Sequence, residues 1–295
     1  MIDIDRGNIL LKYWKSSSNQ HIFIYSISTG KLTPLSESGN ATKLFRGRNG
    51  TPISRRFAEC GGNRCLISID PRTSKKEIIG LQNVHGHLGD IKPSPDGKLL
   101  LVQEALDGID SLWIGKIKDR KVIPTAANFL NGSYVVWNTR WLSETEVVFT
   151  IENISQPAMI QSFDLGSKKT TTWTNSHLPE VLTGTVKPPE TIRWRSFDNK
   201  EISGYIVKPS KIEKKSPVLV FIHGGPQVLD RPTFSSLDVR FVTYLGLSVI
   251  HTNIRGSRGF GNEFMDADNG ARRGMPFEIL ARFSIGSKNS RPRRG

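Results

Sequence analysis

Hydrophobic and polar residues alternate in short runs over residues 1–185, and each run stops at a turn signal. Ile22–Ser28 alternates and turns at Thr29-Gly30-Lys31, and Arg64–Asp70 turns at Pro71-Arg72-Thr73. Ser111–Ile117 turns at Lys118-Asp119-Arg120, and Ala158–Asp164 turns at Gly166-Ser167-Lys168. A period of two puts successive side chains on opposite faces, which is the mark of half-buried strands. The turn centres Gly30, Arg72, Asp119 and Ser167 recur at intervals of forty to fifty residues. That interval, filled by four short strands, is the period of a propeller blade. Residues 1–185 are therefore expected to form an all-β propeller of about four blades, with no helix. Pro93-Ser94-Pro95-Asp96-Gly97 reads as a tight turn into a strand over Lys98–Glu104. Leu142–Glu146 is its weaker counterpart one repeat later. Trp137 and Trp141, four positions apart on an alternating strand, are expected on one face, filling core between blades.

Beyond Val181–Val186 and the stiff pair Pro188-Pro189 the pattern changes. Glu190–Arg195 and Glu201–Lys208 read as a hairpin around Phe197–Lys200. Val218–Ile222 is a continuous apolar, β-branched run, the signature of a buried parallel strand. It runs into His223-Gly224-Gly225-Pro226. Leu237–Leu245 then carries apolar residues at helical spacing, with Gly246 at the C-cap position. A second strand, Leu247–His251, leads into Asn253-Ile254-Arg255-Gly256-Ser257-Arg258-Gly259-Phe260-Gly261. This is a βαβ unit with a glycine loop at the carboxyl end of each strand, where open α/β sheets bind ligands.

The formal net charge of +14 changes this picture little. From Ala271 onward seven basic residues face one acid, Glu278, so a large part of the excess sits in a basic tail. The remainder shows no clustered basic face interleaved with aromatics, and no nucleic-acid partner is expected. A run of eighteen apolar residues is missing, so no membrane span is expected. The first residues lack a basic-then-apolar leader, and the expected location is cytoplasmic. On that basis the glycosylation patterns at Asn40, Asn49, Asn131 and Asn153 carry no weight. Cys60 and Cys65 flank a turn and read either as two free thiols or as a cross-strand bridge. His85 and His87 could share a strand face, but without a third ligand no metal is expected. Asp266, Asp268 and Asn269 read as a solvated loop.

His223-Gly-Gly-Pro followed by Asn253–Gly261, then Gly261-Asn-Glu-Phe and Asp266-Ala-Asp-Asn-Gly-Ala-Arg, resembles the prolyl oligopeptidase family of serine peptidases. The likeness is to its acylaminoacyl-peptidase and dipeptidyl-peptidase-like branch. The resemblance implies a β-propeller over 1–185, the N-terminal portion of an α/β-hydrolase domain over 186–273, and a basic tail, disordered or frameshifted, over 274–295. It makes the propeller incomplete, because the family's is about twice as long. It implies serine-type hydrolysis of short peptides through an acyl-enzyme, without a cofactor, with homo-oligomerisation left open. His223, Gly224 and Gly225 match the loop that contributes to the oxyanion hole; Arg255 reads as fixing loops by hydrogen bonding rather than touching substrate, and Gly256 and Gly259 as serving backbone shape. A G-x-S-x-G elbow occurs nowhere in the chain, so nucleophile, acid and base have no matching residues. The chain as written is expected to be inactive. A non-catalytic propeller interaction protein, or a pseudogene fragment, is the alternative; RNA binding through the basic tail rests only on arginine count.

Overall fold

The computed structural model describes residues 2–5, 7–14, 20–34, 44–46, 52–56, 65–69, 75–81, 87–126, 128–130, 132–182, 184–196, 198–211, 216–225 and 227–270. Arg72, Cys60, His85, Asn40, Asn49, Asn131, the side chain of Cys65 and the tail from Ala271 lie outside them.

The alternating half folds as four successive antiparallel meanders of four strands each. The first is β1 (Ile2–Asp5), β2 (Asn8–Trp14), β3 (Gln20–Ser26) and β4 (Leu32–Pro34). The second is β5 (Leu44–Arg46), β6 (Pro52–Arg56), β7 (Cys65–Ile69) and β8 (Lys76–Leu81). The third is β9 (His87–Pro93), β10 (Leu99–Leu106), β11 (Ile109–Lys118) and β12 (Lys121–Ala126). The fourth is β13 (Val135–Trp141), β14 (Glu146–Asn153), β15 (Gln156–Asp164) and β16 (Lys169–Thr172). The predicted turn centres among the described residues, Gly30, Asp119 and Ser167, each fall between the third and fourth strands of a meander. The sheets are open, and the second and third join through a short parallel pairing of β8 with β12.

Local chemistry explains the hairpins. In the turn from β9 to β10, Ser94 Oγ donates to Asp96 Oδ1 at 2.6 Å, and Gly97 takes a left-handed φ of 70°. The Leu142–Glu146 turn joins the corresponding strands of the fourth meander, with Ser143 Oγ accepting from Glu146 N at 3.0 Å.

β10 departs from simple alternation for a packing reason. Leu100 and Val102 join Leu66 and Ile79 of the second meander in one core, while Leu101 joins Val136, Val147 and Phe149 of the fourth in another. A strand with packed layers on both faces has no solvent side, hence the continuous run Leu99-Leu-Leu-Val102.

The expected shared face of Trp137 and Trp141 is not observed. The register of β13 slips between Trp137 and Arg140, with Asn138 at φ 53°, and the bulge turns the two indoles apart. Trp141, partly buried, packs against the core and donates to Lys92 O at 2.9 Å, whereas Trp137 is 42% exposed.

After a 3-10 turn at Glu180–Leu182 comes a mixed sheet: β17 (Glu190–Arg195), β18 (Glu201–Val207), β19 (Val218–Ile222) and β20 (Ser248–Asn253). Its order is β17-β18-β20-β19, with β19 and β20 parallel. Helix α1 (Ser236–Leu245) crosses between them, and a short helix, α2 (Asn262–Met265), follows. Val239 and Val242 of α1 pack on Tyr205, Val207 and Val249 of the sheet, together with Ile154 from the fourth meander. The expectation of a buried β19 is corrected: it is an edge strand, with Val218 52% and Ile222 43% exposed. Its apolar run anticipates cover on both sides, but among the described residues only β20 pairs with it.

Candidate functional site

β19 and β20 run parallel, so the loops leaving their carboxyl ends emerge side by side. One is His223-Gly224-Gly225 and the other is Ile254–Gly261. His223 joins them. Its Nε2 lies 2.9 Å from Ser257 Oγ, and its Nδ1 lies 3.2 Å from the carbonyl oxygen of Gly224. A carbonyl can only accept, so the neutral ring that satisfies both contacts carries its proton on Nδ1, and the Ser257 hydroxyl donates to Nε2. Ser257 is fully buried, so its hydroxyl orients the imidazole and is not presented to solvent as a nucleophile. Gly224 and Gly225 are exposed, and Gly225 sits at φ 89°, a conformation side chains rarely adopt.

The second loop is shaped from beneath. Arg255 is only 3% exposed; its Nη2 donates to Ser196 Oγ at 3.2 Å and also reaches the Asp198 carboxylate. Both acceptors belong to the turn between β17 and β18, so the guanidinium fastens that hairpin to the loop. Burial alone would raise Asp198, but the hydrogen bonds from Arg255 and the Lys200 N–H outweigh it and hold the carboxyl below the usual range. A Cβ on Gly256 would stand 2.6 Å from the Asp268 carboxylate, and Gly259 lies under Leu229. Asn269 Nδ2 donates to Asp266 Oδ1 at 3.0 Å. Among the described residues no three His, Cys, Asp or Glu side chains gather as a metal site would need.

Sequence reasoning missed a second histidine, directly beneath the site. His251 on β20 is flanked by Tyr205 of β18 and Phe221 of β19, with ring centroids 4.7 and 5.2 Å away and planes within 7° and 9° of parallel. Its Nδ1 lies 3.0 Å from Asp230 Oδ2 and its Nε2 lies 2.9 Å from Asp238 Oδ2. Two carboxylate acceptors require a proton on each ring nitrogen, so this is an imidazolium. Burial alone would lower it, but the hydrogen bonds and charges of Asp230 and Asp238 prevail and push it up to about 9. The Tyr205 hydroxyl is pushed up by burial and by the same two carboxylates. The available signal was a lone histidine inside an apolar strand, Val249-Ile250-His251; its partners come from a loop and a helix, at no spacing a pattern would reveal.

No family model matches the chain. It is 24% identical over 226 residues to the dipeptidyl aminopeptidase BIII of Pseudoxanthomonas mexicana, covering 73% of this chain and 32% of that protein. Over 138 residues it is 27% identical to the uncharacterized peptidase YuxL of Bacillus subtilis, covering 46% of this chain and 20% of that one. The chain thus spans a third or less of the length of these curated relatives. In fold it matches the prolyl oligopeptidase B of Galerina marginata with a TM-score of 0.80 at 14% identity, over 96% of this chain and 41% of that one. It matches a puromycin hydrolase with a TM-score of 0.78 at 17% identity, over 96% of this chain and 45% of that one.

Proposed function

This chain is a relative of the prolyl oligopeptidase family of serine peptidases, and from that kinship we propose that it carries the oxyanion side of a peptidase acting on short peptides. In this reading residues 1–185 are a partial β-propeller that restricts access. Residues 186–273 are the N-terminal portion of an α/β-hydrolase domain, and 274–295 are a basic tail. The observation that carries the reading is the junction at the carboxyl ends of β19 and β20, where His223, held by Ser257, stands beside two exposed glycines.

A tetrahedral intermediate needs hydrogen-bond donors aimed at the developing oxyanion. Glycines permit close backbone approach to such an atom, so the donors are backbone N–H groups of the loop, and the His223 ring, its one proton facing Gly224 O, fixes the loop's shape. Arg255, Gly256 and Gly259 support the neighbouring loop, and Ser257 joins them as the residue that orients His223. The acyl-enzyme step needs a serine, a base and an acid; with no G-x-S-x-G elbow in the sequence, the chain alone turns over no peptide.

The test is an NMR titration with a peptidyl phosphonate anion, whose charged oxygens mimic the tetrahedral oxyanion. Amide shifts concentrated at Gly224 and Gly225 are expected, and no shift there overturns the oxyanion reading. Peptidase turnover by the purified chain, abolished by a serine-directed fluorophosphonate, would overturn the predicted inactivity.

A further inference from the structure

The segment from Gln227 to Ser235 links the His223 loop to α1, and it is gripped from two directions. On the side of the mixed sheet, Asp230 N donates to Asn253 Oδ1 at 2.8 Å, and Asn253 Nδ2 donates to Asp230 O at 3.1 Å. Tyr205 OH donates to Arg231 O at 2.9 Å, and Arg258 N donates to Val228 O at 3.3 Å. These contacts set the height of the segment over the sheet.

On the other side it meets the meanders. Arg231 pairs through Nη2 with Asp110 of β11, and its guanidinium lies 4.9 Å over the ring of Trp137, the indole that the β13 bulge turned out of the core. Asp110 is itself held by the Val136 N–H at 2.6 Å, so one carboxylate joins the third meander, the fourth meander and Arg231. Trp137 Nε1 donates to one oxygen of Glu152, whose other oxygen accepts from Phe234 N at 3.2 Å. Pro232 packs against Gly108, where a Cβ would stand 3.2 Å from the proline ring. Asp110 is pushed up by its burial, which exceeds the attraction of Arg231, so the pair is a desolvated contact and not a surface one.

We propose that Arg231 is a positioning residue, which clamps this segment to the third and fourth meanders and thereby lets the β body set the conformation of His223-Gly224-Gly225. Few residues separate Gly225 from Arg231, and Val228 lies 3.5 Å from the position a Cβ on Gly225 would take. Val228 is thus the side chain through which a shift of Arg231 would reach the glycines. The bulge at Trp137 acquires a purpose in this account, because it delivers a flat face to a guanidinium from another part of the chain. The catalytic meaning of the clamp rests on the oxyanion reading above; the coupling itself does not.

The experiment compares backbone amide NMR shifts of the full chain with those of the full chain carrying Arg231→Met with Asp110→Asn. This pair removes both charges together and leaves no buried carboxylate unpaired. The amide shifts of Gly224 and Gly225 should move, while those of Leu101 and Val102 of β10 and Val242 of α1 stay where they were. Trp137→Leu, at a half-exposed ring, should act in the same direction more weakly. Unchanged shifts at the glycines, or changes shared equally with β10 and α1, overturn the proposal. If the phosphonate leaves the glycines unperturbed but their shifts still follow Arg231, the coupling stands and the oxyanion reading falls.

Discussion

His251 shows how much one residue can depend on partners remote in sequence. An imidazolium between Asp230 and Asp238 is stabilised by folding, because its folded pKa of about 9 lies above the ordinary 6.5. Its contribution is fully present below pH 6.5 and is lost as pH rises through about 9. The groups facing it are Asp230 from the loop, Asp238 from α1 and Tyr205 from β18. Thermal melts of the chain should show stability falling between pH 6.5 and 10, by on the order of 3 kcal/mol. His251→Gln should be less stable at pH 6 and nearly flat across that window. A wild-type profile as flat as that of the variant would remove the imidazolium. Of this cluster only the odd histidine in an apolar strand was legible in the sequence, because carboxylates that meet through tertiary folding leave no periodic trace.

At the scale of elements, α1 was read almost to its ends, since both are set locally. Ser235 Oγ accepts from Asp238 N at 3.1 Å as the N-cap, and Gly246 closes the helix at φ 61° with its N–H on Phe241 O. Ser235→Ala should cost about 1 kcal/mol in urea unfolding without changing the slope of the transition. A larger loss would mean that Ser235 does more than cap the helix. The hairpin turns were legible for the same reason: proline, Asp-Gly and serine act on their own backbone. Trp137 and β19 were misread because their surroundings are not local. A bulge undid the alternation that placed Trp137 inside, and sheet order put β19 on an edge.

At the scale of the whole molecule, two ion pairs among the described residues join the meanders to the mixed sheet and its loops, and burial ranks them. Arg193 of β17 bonds both oxygens of Asp107 but stays 44% exposed, whereas Asp110 beneath Arg231 is 0% exposed. Arg193→Ala should therefore cost less than about 1 kcal/mol and lose even that in high salt. Arg231→Ala, which strands the Asp110 charge, should cost several times more and keep its effect in salt. Urea midpoints of both variants at low and high ionic strength decide this; equal and equally screened effects would mean that the two contacts bear on stability alike. Among the described residues no helix is long and apolar enough to cross a membrane.

What the sequence by itself determined is what depends on neighbours along the chain. The four-strand repeat with its turns, the β17–β18 hairpin, the βαβ order and the two glycine loops all follow from period, proline, glycine and capping. Tertiary structure alone decided which faces those elements share. It put β10 between two cores, turned Trp137 toward Arg231, left β19 at an edge, and brought His223 to Ser257 and His251 to its two aspartates. The physical reason is range. Turns and caps are satisfied within a few residues, whereas burial, ion pairing and the tautomer of a histidine are set by atoms that only the folded chain brings together.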